Sequence, residues 1–363
     1  MTGKTNQPFS RVHIIGTGLL GTSAGLALCE RGVEVTLEDV SPSSLSLAED
    51  YGAGKRRGAE QADPDLVIVA TPPDVVVDVV HRCLETFPSA TVIDVASVKA
   101  GIAREVAERS SHASRFVPTH PMAGRERGGA VSGRSDLFTA RPWIICPQGS
   151  QVTAAVRAFI VSLGALPVEM SPEDHDDAVA LMSHIPQLVA SLTAARLQEA
   201  SELALGLAGA GVRDVTRIAQ SDPALWVQIL AANSAPIAQQ LRTFRDDLDG
   251  VLRALETVNS AGSKKALAEA LSAGVSGVSR LPGKHGASTA FASLIVVIDD
   301  SPGELARLLT QLGEWGVNLE DLRLEHSPGA EVGFADLTLG KDVVTGVEAQ
   351  LKEAGWRIAG ERS

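Results

Sequence analysis

The sequence predicts an α/β Rossmann-type doubly wound sheet, followed by an all-α domain and a C-terminal α+β module of ferredoxin-like topology. Three observations carry this. Arg11 to Asp39 reads as strand, glycine turn, helix and second strand. Apolar strands then alternate with helices up to Met170. After a long helical stretch, the order βαββαβ closes the chain within about 70 residues. The boundaries expected are 1–170, 171–280, a linker at 281–290, and 291–363.

Val12, Ile14 and Ile15 form the first strand, and Gly16, Gly18 and Gly21 follow as GxGxxG before an Ala/Leu-rich helix. Gly16 permits a tight turn, Gly18 lets backbone approach a pyrophosphate, and Gly21 lets the helix pack closely, with Leu20 in the same turn. Val33, Val35 and Leu37 make the second strand, which ends in Glu38-Asp39. An acid about 20 residues past the glycines holds a ribose 2′-hydroxyl in NAD sites. Asp39 stands 18 after Gly21, and the following Val40-Ser41-Pro42 offers no base for a 2′-phosphate, so NAD is expected over NADP. Glu38 takes the acid's place if the strand ends one residue earlier.

A polar helix is expected from Pro42 to Asp50, then a Gly/Arg loop. The apolar run Asp65 to Ala70 is a doubly covered strand ending in Thr71-Pro72-Pro73. A helix at 74–84 leads to a strand at 90–96, which runs into Ser97-Val98-Lys99. After another helix, a strand at 115–119 runs into His120-Pro121. Ligands of such sheets bind beyond the carboxyl ends of the strands, so the glycine turn, Thr71, Ser97 and His120 share one rim. Strands at 143–146 and 166–170, with a helix at 153–163 between them, are expected to complete this sheet.

Ser171-Pro172-Glu173-Asp174 is a helix start, and the chain to Ala273 reads helical. An apolar stripe runs through Ile237, Leu241, Phe244, Leu248, Val251 and Leu255, with Asn233 or Ser234 as cap and Pro236 in the first turn. Such a face associates with a second copy or packs on its own chain. The segment from Ser276 to Ala290, containing Pro282 to Gly286, is a linker. Beyond it, strands at 294–298, after Gly316, at 332–338 and at the end of the chain alternate with helices after Asp300 and at 343–355.

A hydrophobic content of 44% excludes a disordered chain, and a net charge of −12 disfavours nucleic acid or an anionic membrane as partner. Cys29, Cys83 and Cys146 are odd in number, widely spaced and in apolar contexts, as in a reduced cytoplasmic protein with buried thiols. No segment approaches the roughly 20 apolar residues of a membrane helix, and the N-terminus lacks a signal core. Metal-ligand spacing, a GxSxG elbow and a P-loop are all missing from the sequence.

His120 is the first candidate for chemistry: a rim histidine accepts a hydroxyl proton while hydride leaves the same carbon. Ser97 hydrogen-bonds the histidine or the substrate, or caps the next helix. His184 interrupts an apolar helical region as a buried histidine or a substrate contact. Arg213 and Arg217 are i and i+4, so one helix face would offer two guanidinium groups to a dicarboxylate.

Together these motifs resemble the prephenate dehydrogenase family. The resemblance rests on the glycine turn, Ala96-Ser97-Val98-Lys99, Thr119 to Gly124, Ser183-His184-Ile185-Pro186, the run Arg213 to Ala219, and Ser221-Asp222-Pro223 with Trp226. It implies NAD-linked oxidative decarboxylation of prephenate in tyrosine biosynthesis, with His120 accepting a hydrogen bond from the ring hydroxyl, Ser97 modulating it and Arg217 binding a carboxylate. Many relatives carry a second histidine three positions after the first, where this chain has Gln187. A neutral residue there favours prephenate over arogenate, whose ammonium an acid would attract. The C-terminal module resembles an ACT domain through Asp300 to Gly303 and Gly316-Val317-Asn318, implying an amino-acid effector such as tyrosine, and a homodimer is expected. The competing readings are another NAD-linked dehydrogenase, such as a hydroxyacid dehydrogenase, and a non-catalytic NAD and amino-acid sensor.

Overall fold

The computed structural model describes residues 8–58, 60–124, 128–281, 291–326 and 332–362. They fall into two compact units, Met1–Ala200 with Val215–Phe244, and Ser201–Asp214 with Arg245–Ser363. The expected helical domain is thus shared between the two.

The first unit begins β1 (Arg11–Ile15), α1 (Leu19–Cys29), β2 (Glu34–Glu38), α2 (Pro42–Asp50), β3 (Lys55–Arg56), β4 (Leu66–Val69), α3 (Val76–Thr86), β5 (Thr91–Asp94), α4 (Ala100–Arg109) and β6 (Phe116–Val117). These strands form one parallel sheet in the order β3-β2-β1-β4-β5-β6. The order reverses between β1 and β4, which places the switch point at the glycine turn and Thr71. Alternation along β4 explains its continuous apolar run: Leu66 and Ile68 join the core on one face, Val67 and Val69 the core on the other. The expected Gly/Arg loop contains the short edge strand β3.

Past β6 the chain departs from expectation. The strand anticipated at 115–119 is two pieces, β6 and β7 (Thr119–Pro121), and β7 belongs to a second sheet. Its partners are β8 (Pro142–Ile145) and, beyond α5 (Ser150–Ser162), β9 (Leu166–Glu169). β7 runs antiparallel to β8 and β8 parallel to β9, so these strands do not complete the parallel sheet. The break has one local and one long-range cause. Pro118 has no N–H to extend the ladder, and the next N–H, that of Thr119, donates to the Asp94 side chain at 3.1 Å. Phe138, Trp143 and Phe159 pack beneath the second sheet, with ring centroids 4.8 and 6.2 Å apart.

Ser171 caps α6 (Pro172–Val179) as its sequence predicts, its Oγ accepting from the Asp174 N–H at 3.0 Å. A π-helical turn, Ala180–His184, leads into α7 (Ile185–Arg196). The helical run Pro172–Glu199, 28 residues, is long and apolar enough to cross a membrane, which corrects the expectation that no segment is. The run nevertheless turns His175, Asp176, His184 and Gln187 inward. After α8 (Glu202–Leu205) and α9 (Ala210–Thr216), a 3-10 turn at Arg217–Gln220 and α10 (Pro223–Ala232) lead to α11 (Ser234–Glu256). The stripe on α11 has two fates. Ile237 packs with Ala180 and Ile185, whereas Phe244, Leu248 and Leu255 stay exposed.

In the second unit, α12 (Ser263–Val278) occupies the start of the expected linker, and Pro282 to Gly286 lie outside the described residues. The module that follows is β10 (Phe291–Asp299), α13 (Glu304–Glu314), β11 (Asp321–His326), β12 (Val332–Gly340), α14 (Lys341–Glu353) and β13 (Arg357–Arg362). Its antiparallel sheet has the order β11-β12-β10-β13, a split βαβ arrangement. Strict alternation on β10 and β12 buries Leu294, Val296, Leu337 and Leu339 against Leu308, Leu312, Val347 and Leu351 of the two helices.

Candidate active site

The cradle at the switch point follows from its glycines. Gly16 has φ +98°, and a Cβ there would stand 2.3 Å from the Ala70 carbonyl oxygen. A Cβ on Gly21 would meet the Gly16 carbonyl at 1.9 Å. Gly18 faces open space, and as N-cap of α1 it supplies no side chain to the helix's first N–H groups, which suits an anion there. Leu20, beside them, packs against the core. The two acids after β2 are committed differently. Glu38 accepts from Arg82 at 2.7 Å and lies 3.4 Å from His13 Nε2, and the His13 hydrogen bond leads in holding its carboxyl below the usual range. Asp39 instead faces the glycine turn: its Oδ2 accepts from Thr17 N at 2.6 Å and Thr17 Oγ1 at 2.8 Å. At the end of β4, Thr71 Oγ1 is buried without a hydrogen-bond partner, a polar atom that a ligand would satisfy. These residues fit a dinucleotide.

His120 lies in β7 itself rather than in a loop after a parallel strand. Its Nδ1 is 2.9 Å from His175 Nε2, and His175 Nδ1 is 2.8 Å from Asp176 Oδ1. Asp176 in turn accepts from the backbone N–H of Lys99 at 2.8 Å and of Ala100 at 2.9 Å, at the start of α4. Below this cluster lies a fully buried ion pair. Lys99 Nζ donates to Asp94 Oδ2 and, at 2.7 Å, to the carbonyl of Thr119, the residue before His120. Burial pushes the Asp94 carboxyl up, against the pull of Lys99. The His120 imidazole is held well below its ordinary value, first by desolvation and then by His175, Lys99 and His184, so it is neutral at pH 7.

Ser97, half-buried, makes no hydrogen bond to His120, whose Nδ1 faces His175. His184 ends the π-helical turn, is buried against the Trp226 ring at 6.0 Å, and lies 3.2 Å from Asn233 Nδ2. Burial pulls its pKa down to about 4. Asn233 stands just before α11, as one of the two anticipated caps, and its backbone carbonyl accepts from the Ile237 N–H at 3.3 Å, but its side chain is engaged elsewhere. It donates to the Asp176 carbonyl at 2.8 Å and ties α10 to the cluster. Gln187 is buried one turn after Ser183, its Nε2 3.4 Å from Ser191 Oγ.

Arg213 and Arg217 do not share one α-helical face: α9 ends at Thr216, Arg217 opens a 3-10 turn, and the two belong to different compact units. Both are exposed. In the C-terminal module Asn318 lines a cavity of about 530 Å³ with Trp315, Glu320, Asp342 and Gln350. Asp300 and Gly303 are not among its lining residues, and Gly303, at φ +98°, serves as N-cap of α13.

Sequence reasoning gave no role to His175, Asp176 or Asp94, and quoted Lys99 only within a motif. The one signal was an Asp-His-Asp run inside a helix start, which reads as ordinary first-turn acids.

The chain is similar to known proteins over most of its length. Residues 24–166 match the family described as prephenate dehydrogenase, nucleotide-binding domain, and residues 171–272 that described as prephenate dehydrogenase, dimerization domain. The chain is 37% identical to a probable prephenate dehydrogenase, NovF, of Streptomyces niveus, over 87% of this chain and 90% of that one. It is 26% identical to the prephenate dehydrogenase of Bacillus subtilis, over 88% and 89%. Among solved structures it is similar to the prephenate dehydrogenase of A. aeolicus in complex with hydroxyphenyl propionate and NAD+, at 25% identity and a TM-score of 0.65, covering 74% of this chain and 98% of that one. With both parts of the family matched in order around one nucleotide cradle and one histidine cluster, the chain belongs to the prephenate dehydrogenase family of NAD-dependent oxidoreductases.

Proposed function

We propose that the protein converts prephenate to 4-hydroxyphenylpyruvate, with His120 as hydrogen-bond acceptor for the ring hydroxyl. The observation behind this is a neutral, desolvated imidazole held next to the rim of the nucleotide-binding sheet. NAD, when bound, supplies the hydride acceptor. His120 takes the hydroxyl proton as hydride leaves the same carbon, which gives a ring ketone. The ring carboxylate then departs as carbon dioxide, its bonding electrons complete the aromatic ring, and the ring oxygen takes back a proton from His120. Aromatisation drives the reaction, so the protein chiefly orients the reactants.

In this reading Gly16, Gly18, Leu20, Gly21, Asp39 and Thr71 hold the cofactor. Asp39 is favoured over Glu38 for the ribose because it faces the glycine turn, whereas Glu38 is held by Arg82. Ser97, with no hydrogen bond to His120, is assigned to the substrate. Arg217 binds a substrate carboxylate, and His184 and Gln187 line the side-chain end. Gln187 is buried and uncharged, which favours the keto acid prephenate over the ammonium-bearing arogenate. The test is NADH formation with NAD and either substrate, side by side. Turnover with prephenate supports the assignment, turnover with arogenate alone moves it to the other branch, and silence with both refutes it.

Two further parts belong to the proposal. The exposed apolar residues Leu248, Leu255, Leu271 and Val275 suit a homodimer. The C-terminal module acts as an ACT-type regulatory domain that takes tyrosine at the Asn318 cavity, with Asp300 and Gly303 shaping the first turn of α13. Tyrosine inhibition that persists unchanged in Asn318→Ala counts against that site.

A further inference from the structure

The donor and acceptor roles around His120 follow from one starting point. Asp176 is acceptor-only as a carboxylate, and both of its oxygens already take backbone N–H groups from the start of α4. The 2.8 Å contact between Asp176 Oδ1 and His175 Nδ1 therefore has the proton on His175 Nδ1. In a neutral imidazole the other nitrogen is then bare, so His175 Nε2 is an acceptor. Its neighbour at 2.9 Å, His120 Nδ1, must carry a proton. That leaves His120 Nε2 with its lone pair.

We propose that His175 and Asp176 are positioning residues that lock His120 in the Nδ1–H tautomer, so that Nε2 is the atom that receives the substrate's proton. The proposal rests on the reading of His120 given above and adds the device that sets its orientation. His175 is fully buried and Asp176 is 4% exposed, so water does not compete for these bonds. The anchors come from three different elements. The Lys99 and Ala100 N–H groups at the start of α4 fix the Asp176 carboxylate, the Asn233 amide at the C-cap of α10 fixes the Asp176 carbonyl, and β7 carries His120. Once Nε2 has taken the hydroxyl proton, the Nδ1–H bond to His175 becomes charge-assisted and the His175–Asp176 bond strengthens with it. No second proton has to move. The arrangement is directional: reversing the His120 tautomer would place N–H against the substrate hydroxyl and a lone pair against the lone pair of His175.

The test reads the tautomer directly. In the full-length chain labelled with 15N-histidine, two-bond proton–nitrogen correlation at pH 8 is expected to show His120 and His175 each protonated on Nδ1. In His175→Phe the His120 proton redistributes to Nε2, and kcat falls roughly 10²- to 10⁴-fold while KM for NAD stays within about twofold. His175→Gln, whose side-chain oxygen can still accept the Nδ1–H, recovers at least about tenfold of that loss. An Nε2–H signal for His120 in the unmodified chain overturns the proposal, whether or not the variants fold. So does a His175→Phe enzyme within about threefold of the parent when His120→Asn is inactive. A His120→Asn enzyme of full activity overturns instead the underlying reading of His120, so the two failures are distinct.

Discussion

Lys99→Met removes the ammonium from a pocket in which Lys99 and Asp94 are both fully buried. The methionine fills most of the volume, so the cost is electrostatic. Asp94 keeps the N–H bonds from Thr119 and Ala96, each at 3.1 Å, but loses the Lys99 ammonium, and the Thr119 carbonyl loses a donor at 2.7 Å. Removing one partner of a buried pair costs about 3–5 kcal/mol. A unit of this size loses about 2–4 °C of Tm per kcal/mol, so a drop of roughly 6–20 °C is expected. Thermal unfolding measures the drop in Tm, and urea unfolding followed by tryptophan fluorescence measures the free-energy cost. The double variant Lys99→Met with Asp94→Asn leaves no uncompensated charge while keeping an acceptor for Thr119, so it should regain at least half of the loss. A single variant costing less than about 1 kcal/mol, or a double variant costing the sum of both singles, would refute the reasoning.

The histidines set a pH window. His120 and His184 have folded pKa values below the unfolded 6.5, so on acidification the unfolded chain binds protons first. Stability is full above about pH 7 and falls as pH drops through 6.5 towards about 4 for His184, which equilibrium unfolding at stepped pH will show. The acid limb of kcat should accordingly lie below 6.5; a limb above that value contradicts a desolvated His120. Gly21→Ala places a Cβ 1.9 Å from the Gly16 carbonyl, so KM for NAD should rise at least about tenfold with a stability loss of about 1–3 kcal/mol, read by titration and melting. Gln187→Glu puts a carboxylate at the proposed side-chain end of the pocket, and the ratio of kcat/KM for arogenate to that for prephenate should rise about tenfold, one typical charge contact.

Local periodicity carried much of this protein. The glycine spacing, the Ser171-Pro172 start of α6 and the alternation of β12 were legible because each depends on residues close in sequence. The departure of β7 from the parallel sheet was not, because it turns on a long-range bond from the Thr119 N–H to the Asp94 side chain that removes a strand from one ladder and gives it to another. Arg213 and Arg217 looked like one face because i and i+4 assume an unbroken helix, and α9 stops at Thr216.

The same division holds at the site. His120 was singled out in the sequence because a strand and the residue type coincide within a few positions, although the structure places it inside β7 rather than past a parallel strand, and the glycine turn because three glycines satisfy three local steric demands. Its partners were hidden. His175 lies 55 residues away, Lys99 reaches the Thr119 carbonyl across 20, and Asn233 reaches the Asp176 carbonyl across 57, with none of these separations leaving a periodic trace. Residue type and spacing determined which chemistry was available, and only tertiary packing decided which nitrogen of His120 is free, because hydrogen-bond roles in a buried cluster are set by neighbours that chain order does not place together.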